Sequence, residues 1–294
     1  MLKRIVLFCI TNLLILVTIS IVLNVLGVKP YLTAQGIDYQ ALMAFCLVWG
    51  MGGAFISLAL SRVMAKWMLG VKVISRENAG ELQWVVNMVD QIAKSAGLPK
   101  TPEIGIYESP EINAFATGPT KSRALVAFST GLLRSMKRDE VEGVAAHEVA
   151  HIANGDMVTM TLLQGVVNAV VMFLARVIAF AASQTVKEEN RSMVHFVVVL
   201  VLDILLGILG MMVVMWFSRH REFRADAGAG RYVGNGKMIA ALRSLQRGMP
   251  TLAYSQAESM NSLKISGQPS RFSLLFSSHP SLDLRIARLE GRGA

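Results

Sequence analysis

Charged residues and cysteines are scarce in this chain of 294 residues. Only 17% of positions are charged against 53% hydrophobic, and the mean hydropathy of +0.48 exceeds that of a soluble globular domain, so an integral membrane protein is expected. The two cysteines, Cys9 and Cys46, both lie inside apolar segments, which gives no support to a disulfide framework or a cysteine-ligated metal site. Gly/Ser-rich and Pro-rich linkers are absent, and no internal repeat stands out. Acidic residues are outnumbered, 20 against 29 basic, for a formal net charge of +9. A basic chain can mark a nucleic-acid binder, but here Lys and Arg lie beside apolar runs rather than in a face interleaved with aromatics. No nucleic-acid partner is expected, and the charge reads as membrane topology.

What is abundant is long apolar sequence. Residues 5–28 carry no charge after Lys3 and Arg4, a run longer than a signal-peptide core and without a clear cleavage site, so it is expected to stay as an anchor. A second run, 39–61, completes an N-terminal transmembrane hairpin over residues 1–62. A third run, 157–186, contains Arg176, and a fourth, 192–218, contains Asp203, giving a second hydrophobic hairpin over 157–218. The midpoint of positions 176 and 203 falls within the polar turn at 187–191, so in an antiparallel hairpin Arg176 and Asp203 meet at one depth as an ion pair. Lys3, Arg4, Arg62, Lys66, Arg219, Arg221 and Arg224 flank one side, against Lys29, Lys187 and Arg191 on the other. The positive-inside rule then places both termini and residues 63–156 in the cytoplasm.

Residues 63–156 and 219–294 read as two parts of one cytoplasmic domain. The first part predicts an amphipathic helix over 77–96, strands over 103–107 and 124–128, a turn at 117–120, and a helix over 139–154 with an acidic first turn. The stretch 255–271 in the second part reads as an exposed polar loop, open to self-cleavage.

The helix over 139–154 carries HEVAH at 147–151. On a helix His147 and His151 are one turn apart with Glu148 between them in azimuth, so two imidazoles can hold one Zn²⁺ while the carboxylate reaches water beside it. Alone, this pattern also arises by chance on a packed helix. A catalytic zinc keeps three protein ligands, and SRHREFRAD at 218–226 offers His220, Glu222 and Asp226 after two membrane crossings have brought the chain back. Glu222 and Asp226 are four apart, so one can ligate while the other accepts a hydrogen bond from a ligand histidine. His220 is two residues from Glu222 and points elsewhere on a helix. His195 lies near the outer end of the fourth run and reads as interfacial, and Asn154 and Asp156 read as the helix end and the start of the third run.

HEVAHIANGD, with SRHREFRADAG about seventy residues on and an apolar hairpin between them, resembles the HtpX family of membrane zinc metalloproteases, gluzincin relatives of the CAAX prenyl proteases. INAFATG (112–118) and SSHP (277–280) match that family's pattern as well, and the resemblance runs over nearly the whole chain. It implies one zinc ion per subunit held by His147, His151 and Glu222, with Glu148 as catalytic base and Asp226 supporting a ligand histidine. It also suggests His279 as a donor to the developing oxyanion, and Asn113, Ala114 and Phe115 as an edge strand that grips extended substrate. The fold expected is a mainly α membrane protein: four hydrophobic helices in two hairpins, with a cytoplasmic α+β zincin-like metalloprotease domain.

By that resemblance the chain is an endopeptidase of the bacterial inner membrane, multi-pass, with its active site in the cytoplasm. Its partners are the lipid bilayer and misfolded or damaged membrane proteins or unfolded polypeptides, taken in stress response and quality control. An intramembrane site-2-type protease is the second reading, disfavoured by Lys137, Arg138, Asp139, Glu140 and Glu142 leading into the helix. A noncatalytic membrane scaffold or transporter with a structural zinc is the third, disfavoured because no fourth ligand is evident. The sequence carries no signal for an oligomeric state.

Overall fold

A computed structural model describes residues 17–27, 31–33, 36–260 and 279–292. The chain forms two compact units, one of Met1–Leu58 with Thr159–Val214, the other of Ala59–Val158 with Met215–Ala294.

The first unit is built from apolar helices. Among the described residues three helices are long and apolar enough to cross a membrane: α2 (Tyr39–Met68), α6 (Asp156–Ser183) and α7 (Glu188–Val233). Of the first expected hydrophobic helix, the described part is α1 (residues 17–25), and residues 1–16 lie outside the described set. A two-stranded hairpin, β1 (Leu32–Thr33) with β2 (Gly36–Ile37), precedes α2, whose first turn is capped by Asp38 Oδ1 accepting the Gln40 and Ala41 N–H groups. Phe196, Ile204, Leu205 and Leu209 are exposed, as lipid-facing side chains are. Inside the unit, small residues let backbones meet: a Cβ on Gly50 of α2 would lie 2.7 Å from the Ala169 nitrogen of α6. The expected ion pair forms, with Arg176 Nη1 3.8 Å from Asp203 Oδ1. Arg176 also donates to the Met172 carbonyl at 3.0 Å and sits 5.7 Å from the Phe45 ring centre. The connection between α6 and α7 falls at 184–187, earlier than the turn expected at 187–191. Glu188 and Glu189 are already helical, where their charges suit the positive end of the α7 dipole. α7 also continues to Val233, beyond Ser218 where the apolar run ends.

The second unit carries a four-stranded sheet in the order β3-β4-β6-β5, formed by β3 (Lys72–Ile74), β4 (Glu103–Tyr107), β5 (Ala114–Thr120) and β6 (Arg123–Ser129). β4 and β6 run parallel, while β3 and β5 are antiparallel to their neighbours, so β5 is an edge. One face, with Ile104, Val126 and Phe128, packs on α3 (Gln83–Ser95) and α5 (Arg138–Asn154). The predicted helix over 77–96 is thus shorter. Asn78 Oδ1 accepts the Ser75 N–H at 2.6 Å and Gly80 adopts φ +52°, which keeps the chain out of helix until a 3₁₀ turn at Gly80–Leu82. The turn predicted at 117–120 is instead part of β5, with an irregular register between Thr117 and Thr120. Gly118 takes φ +143° there, and a Cβ on it would lie 2.3 Å from the Arg123 carbonyl.

α4 (Thr130–Ser135) leads from β6 toward α5, and α8 (Asn235–Met260) packs on α5. Residues 255–260 belong to α8, and 261–271 lie outside the described residues, so the loop expected over 255–271 is helical at its start. α9 (Leu282–Leu289) completes the unit.

Candidate metal centre

α5 is buried on nearly every side, from Val141 through Ile152. Its start is fixed by the Glu140 carboxylate accepting the Lys137 N–H at 2.8 Å, and its end by Gly155 in the left-handed region at φ +72°. His147 and His151 therefore project from a buried helix, and Glu148 between them is half-buried.

Glu222 comes from α7 and is fully buried. One donor atom from each of His147, His151 and Glu222 lies within 4.8 Å of the other two. The Nε2 atoms of the two histidines are 3.1 Å apart, His147 Nε2 is 3.4 Å from Glu222 Oε2, and His151 Nε2 is 3.3 Å from Glu222 Oε1. Both Nδ1 atoms meet a carboxylate: Asp226 Oδ1 at 2.9 Å from His147 and Asp156 Oδ2 at 2.6 Å from His151. Such pairs fix each ring and present its Nε2 to the centre. Burial alone would lower the pKa of both imidazoles. Hydrogen bonding to Asp226 and Glu222 outweighs it and raises that of His147, while Asp156 and Glu222 hold His151 at about 9. A proton and a divalent cation would thus compete for the same nitrogen face.

The structure brings other expected residues to this cluster. Asp226 reaches His147 as described, and His279 Nδ1 lies 2.8 Å from Glu222 Oε2. Glu148 stands on the same helix between the two histidines and is half-buried. Asn113 is exposed just before β5; its N–H donates to Ser129 Oγ at 3.1 Å, and Ala114 and Phe115 open the edge strand. Phe115 packs on Tyr107 with ring centres 5.7 Å apart. His220 turns away, its Nδ1 on the Trp216 carbonyl at 2.9 Å.

Two residues assigned no role from the sequence belong here. Asp156, read as the start of an apolar run, is 1% exposed and holds His151. Arg285 of α9 is 5% exposed and grips Asp226 with two hydrogen bonds, Nε to Oδ2 at 2.8 Å and Nη2 to Oδ1 at 2.6 Å. Its Nη1 is also 3.6 Å from Glu222 Oε2. A signal for Arg285 does exist: Leu282, Ile286 and Leu289 form the apolar stripe of α9, and position 285 falls on that stripe. A guanidinium there needs a buried acid.

A family model described as peptidase family M48 matches residues 79–293. The chain belongs to this family. Among its relatives, the M48 peptidase is 52% identical over 300 residues to a protease HtpX homolog of Bacillus subtilis (strain 168), a match covering 99% of this chain and 100% of that one. It is 48% identical over 291 residues to protease HtpX of Idiomarina loihiensis, covering 99% of each. The crystal structure of S. mikatae Ste24p shares its fold, with a TM-score of 0.63 at 20% identity, over 98% of this chain and 64% of that one. The M48 peptidase is thus an HtpX-type membrane metalloprotease, mostly helical with a small sheet-containing unit. Its donor set fits a metal ion. Two imidazole nitrogens face each other, and Glu222 Oε1 is buried with no hydrogen-bond partner among the described residues. A shared cation would satisfy these donors.

Proposed function

We propose that this peptidase is a zinc-dependent endopeptidase of the bacterial inner membrane that cleaves misfolded or damaged membrane proteins on the cytoplasmic side. The observation that carries the reading is the buried convergence of His147, His151 and Glu222 beside Glu148. Two imidazoles and one carboxylate are a donor set that zinc favours in hydrolytic sites. When bound, zinc would act as a Lewis acid on the scissile carbonyl and acidify the attacking water.

Each remaining role falls to a residue of the chain. Glu148 accepts the proton of the attacking water and later passes it to the leaving amine. His279, beside the ligand carboxylate, donates a hydrogen bond to the developing oxyanion. β5 presents an edge of main-chain groups, and Asn113 to Phe115 hold an extended peptide there, tolerating many sequences. Asp226, Asp156 and Arg285 keep the ligands in place. The basic residues at the ends of the apolar runs support an orientation with both termini and the active site in the cytoplasm.

α5 is not among the three described helices apolar enough to cross a membrane, which weighs against a site-2-type arrangement. Among the described residues the group of donor atoms close enough to share one ion is His147, His151 and Glu222, a three-ligand set that weighs against a closed structural zinc. The deciding measurement is zinc content together with cleavage of an unfolded model substrate by wild type and Glu148→Gln. Retained zinc with cleavage reduced by roughly 10²- to 10⁴-fold is expected; unchanged cleavage refutes the reading.

A further inference from the structure

Three arginines line one cavity of about 430 Å³ in the second unit. Arg224 and Arg231 come from α7, Arg288 from α9, and Asn154 and Asn235 complete the polar lining, the Asn235 amide nitrogen donating to the Leu289 carbonyl at 3.0 Å. Among the described residues no Asp or Glu lines it. Three like charges facing one space repel one another, yet among the described residues Arg231 and Arg288 form no ion pair. Among the described residues Arg224 pairs with Asp156, at 3.7 Å, and that carboxylate is already bound to His151 at 2.6 Å.

The arrangement suits an oxyanion. The Arg288 guanidinium lies 4.1 Å from the centre of the Phe223 ring, so stacking occupies its face and leaves its N–H edge for a ligand. Asn235 begins α8, so this side of the cavity also carries the N-terminus of a 26-residue helix. Arg231 and Arg288 fall in the last turns of α7 and α9, where a cation suits the helix dipole. That accounts for each residue singly but not for their meeting Arg224 around one acid-free space.

We propose that this cavity is a binding site for a phosphate-type oxyanion, supplied by the headgroup of an anionic phospholipid. The source follows from position in the chain: Arg224 comes six residues after Ser218, the end of the last apolar run. Basic groups at that place meet the anionic lipid surface first.

The test uses the full-length protein in neutral maltoside micelles, titrated with short-chain phosphatidylglycerol, short-chain phosphatidylcholine and inorganic phosphate, and followed by native mass spectrometry and calorimetry. Saturable binding of phosphatidylglycerol in preference to phosphatidylcholine is expected, with inorganic phosphate competing. Arg231→Gln and Arg288→Gln should each weaken it by roughly tenfold. Arg231→Lys, which keeps the charge, should lose less. Both residues are exposed, so unchanged thermal unfolding separates lost binding from lost folding. Binding of inorganic phosphate without phosphatidylglycerol overturns the lipid source and retains the oxyanion site. Equal binding by wild type and the double glutamine variant, or no binding of any probe, overturns the site.

Discussion

Replacing Arg285 with methionine removes the cation facing two buried carboxylates while keeping much of the side-chain stem. Asp226 is 2% exposed and Glu222 0%, so neither regains solvation from water when the guanidinium goes. Asp226 loses both of its bonds to Arg285, at 2.8 and 2.6 Å, and is left with His147. Removing one partner of a buried ion pair costs about 3–5 kcal/mol. In a folding unit of this size that lowers the unfolding midpoint by roughly 6–20 °C, at about 2–4 °C per kcal/mol. The assay is thermal unfolding by tryptophan fluorescence in detergent, with a chelator and with added zinc. Zinc restores positive charge beside Glu222, so the loss should be smaller in the loaded protein. Arg285→Lys keeps the charge but not the two-pronged contact and should fall between. A shift below about 2 °C in chelator would refute the reasoning, because the acids would then not depend on Arg285.

Other outcomes follow from single contacts. Asp156→Asn should weaken metal affinity by roughly 10- to 100-fold, measured by competition with a metal-buffering dye, because His151 loses its carboxylate partner. Gly143→Ala places a Cβ 2.6 Å from the Lys237 carbonyl and wedges α8 off α5; about 1–3 kcal/mol of stability should be lost, read by denaturant unfolding. The Asp90 carboxyl is held below its usual range by hydrogen bonding from Lys94 and then Thr101, with the charge of Arg76 adding to it. A depressed folded pKa stabilises fully above the ordinary Asp value and is lost as pH falls through the depressed one. The stability gap between wild type and Asp90→Asn should therefore stay flat from neutral pH to about pH 4 and close below it; a gap that widens on acidification would contradict this.

The elements most legible in the sequence are those whose cause is local. Long apolar runs become helices α2, α6 and α7 because their length and apolarity suffice on their own, and the i, i+4 spacing of His147 and His151 places both rings on one face of α5. Glu222 is legible for a less local reason, since the apolar hairpin of α6 and α7 brings position 222 back beside α5. Arg285 and Asp156 escape because their roles depend on what lies opposite. Asp156 is a helix-start acid by every local rule, and only the fold shows His151 Nδ1 2.6 Å away. The early end of the α6–α7 turn and the shortened α3 come from a dipole-favoured helix start and a glycine with positive φ, effects of a residue or two that periodicity over longer windows averages out.

The cluster's parts are spread along the chain, and this sets the order in which a ribosome can supply them. His147 and Arg285 are 138 residues apart, and between them lie both helices of the second hairpin. At about 5–20 residues per second, emergence of Arg285 trails that of His147 by on the order of ten seconds. Until α7 has been made there is no Glu222, and until α9 has been made Asp226 has no Arg285. A nascent chain therefore holds HEVAH without the rest of its centre while its membrane helices are still being inserted, and the finished constellation first exists once α9 has been made.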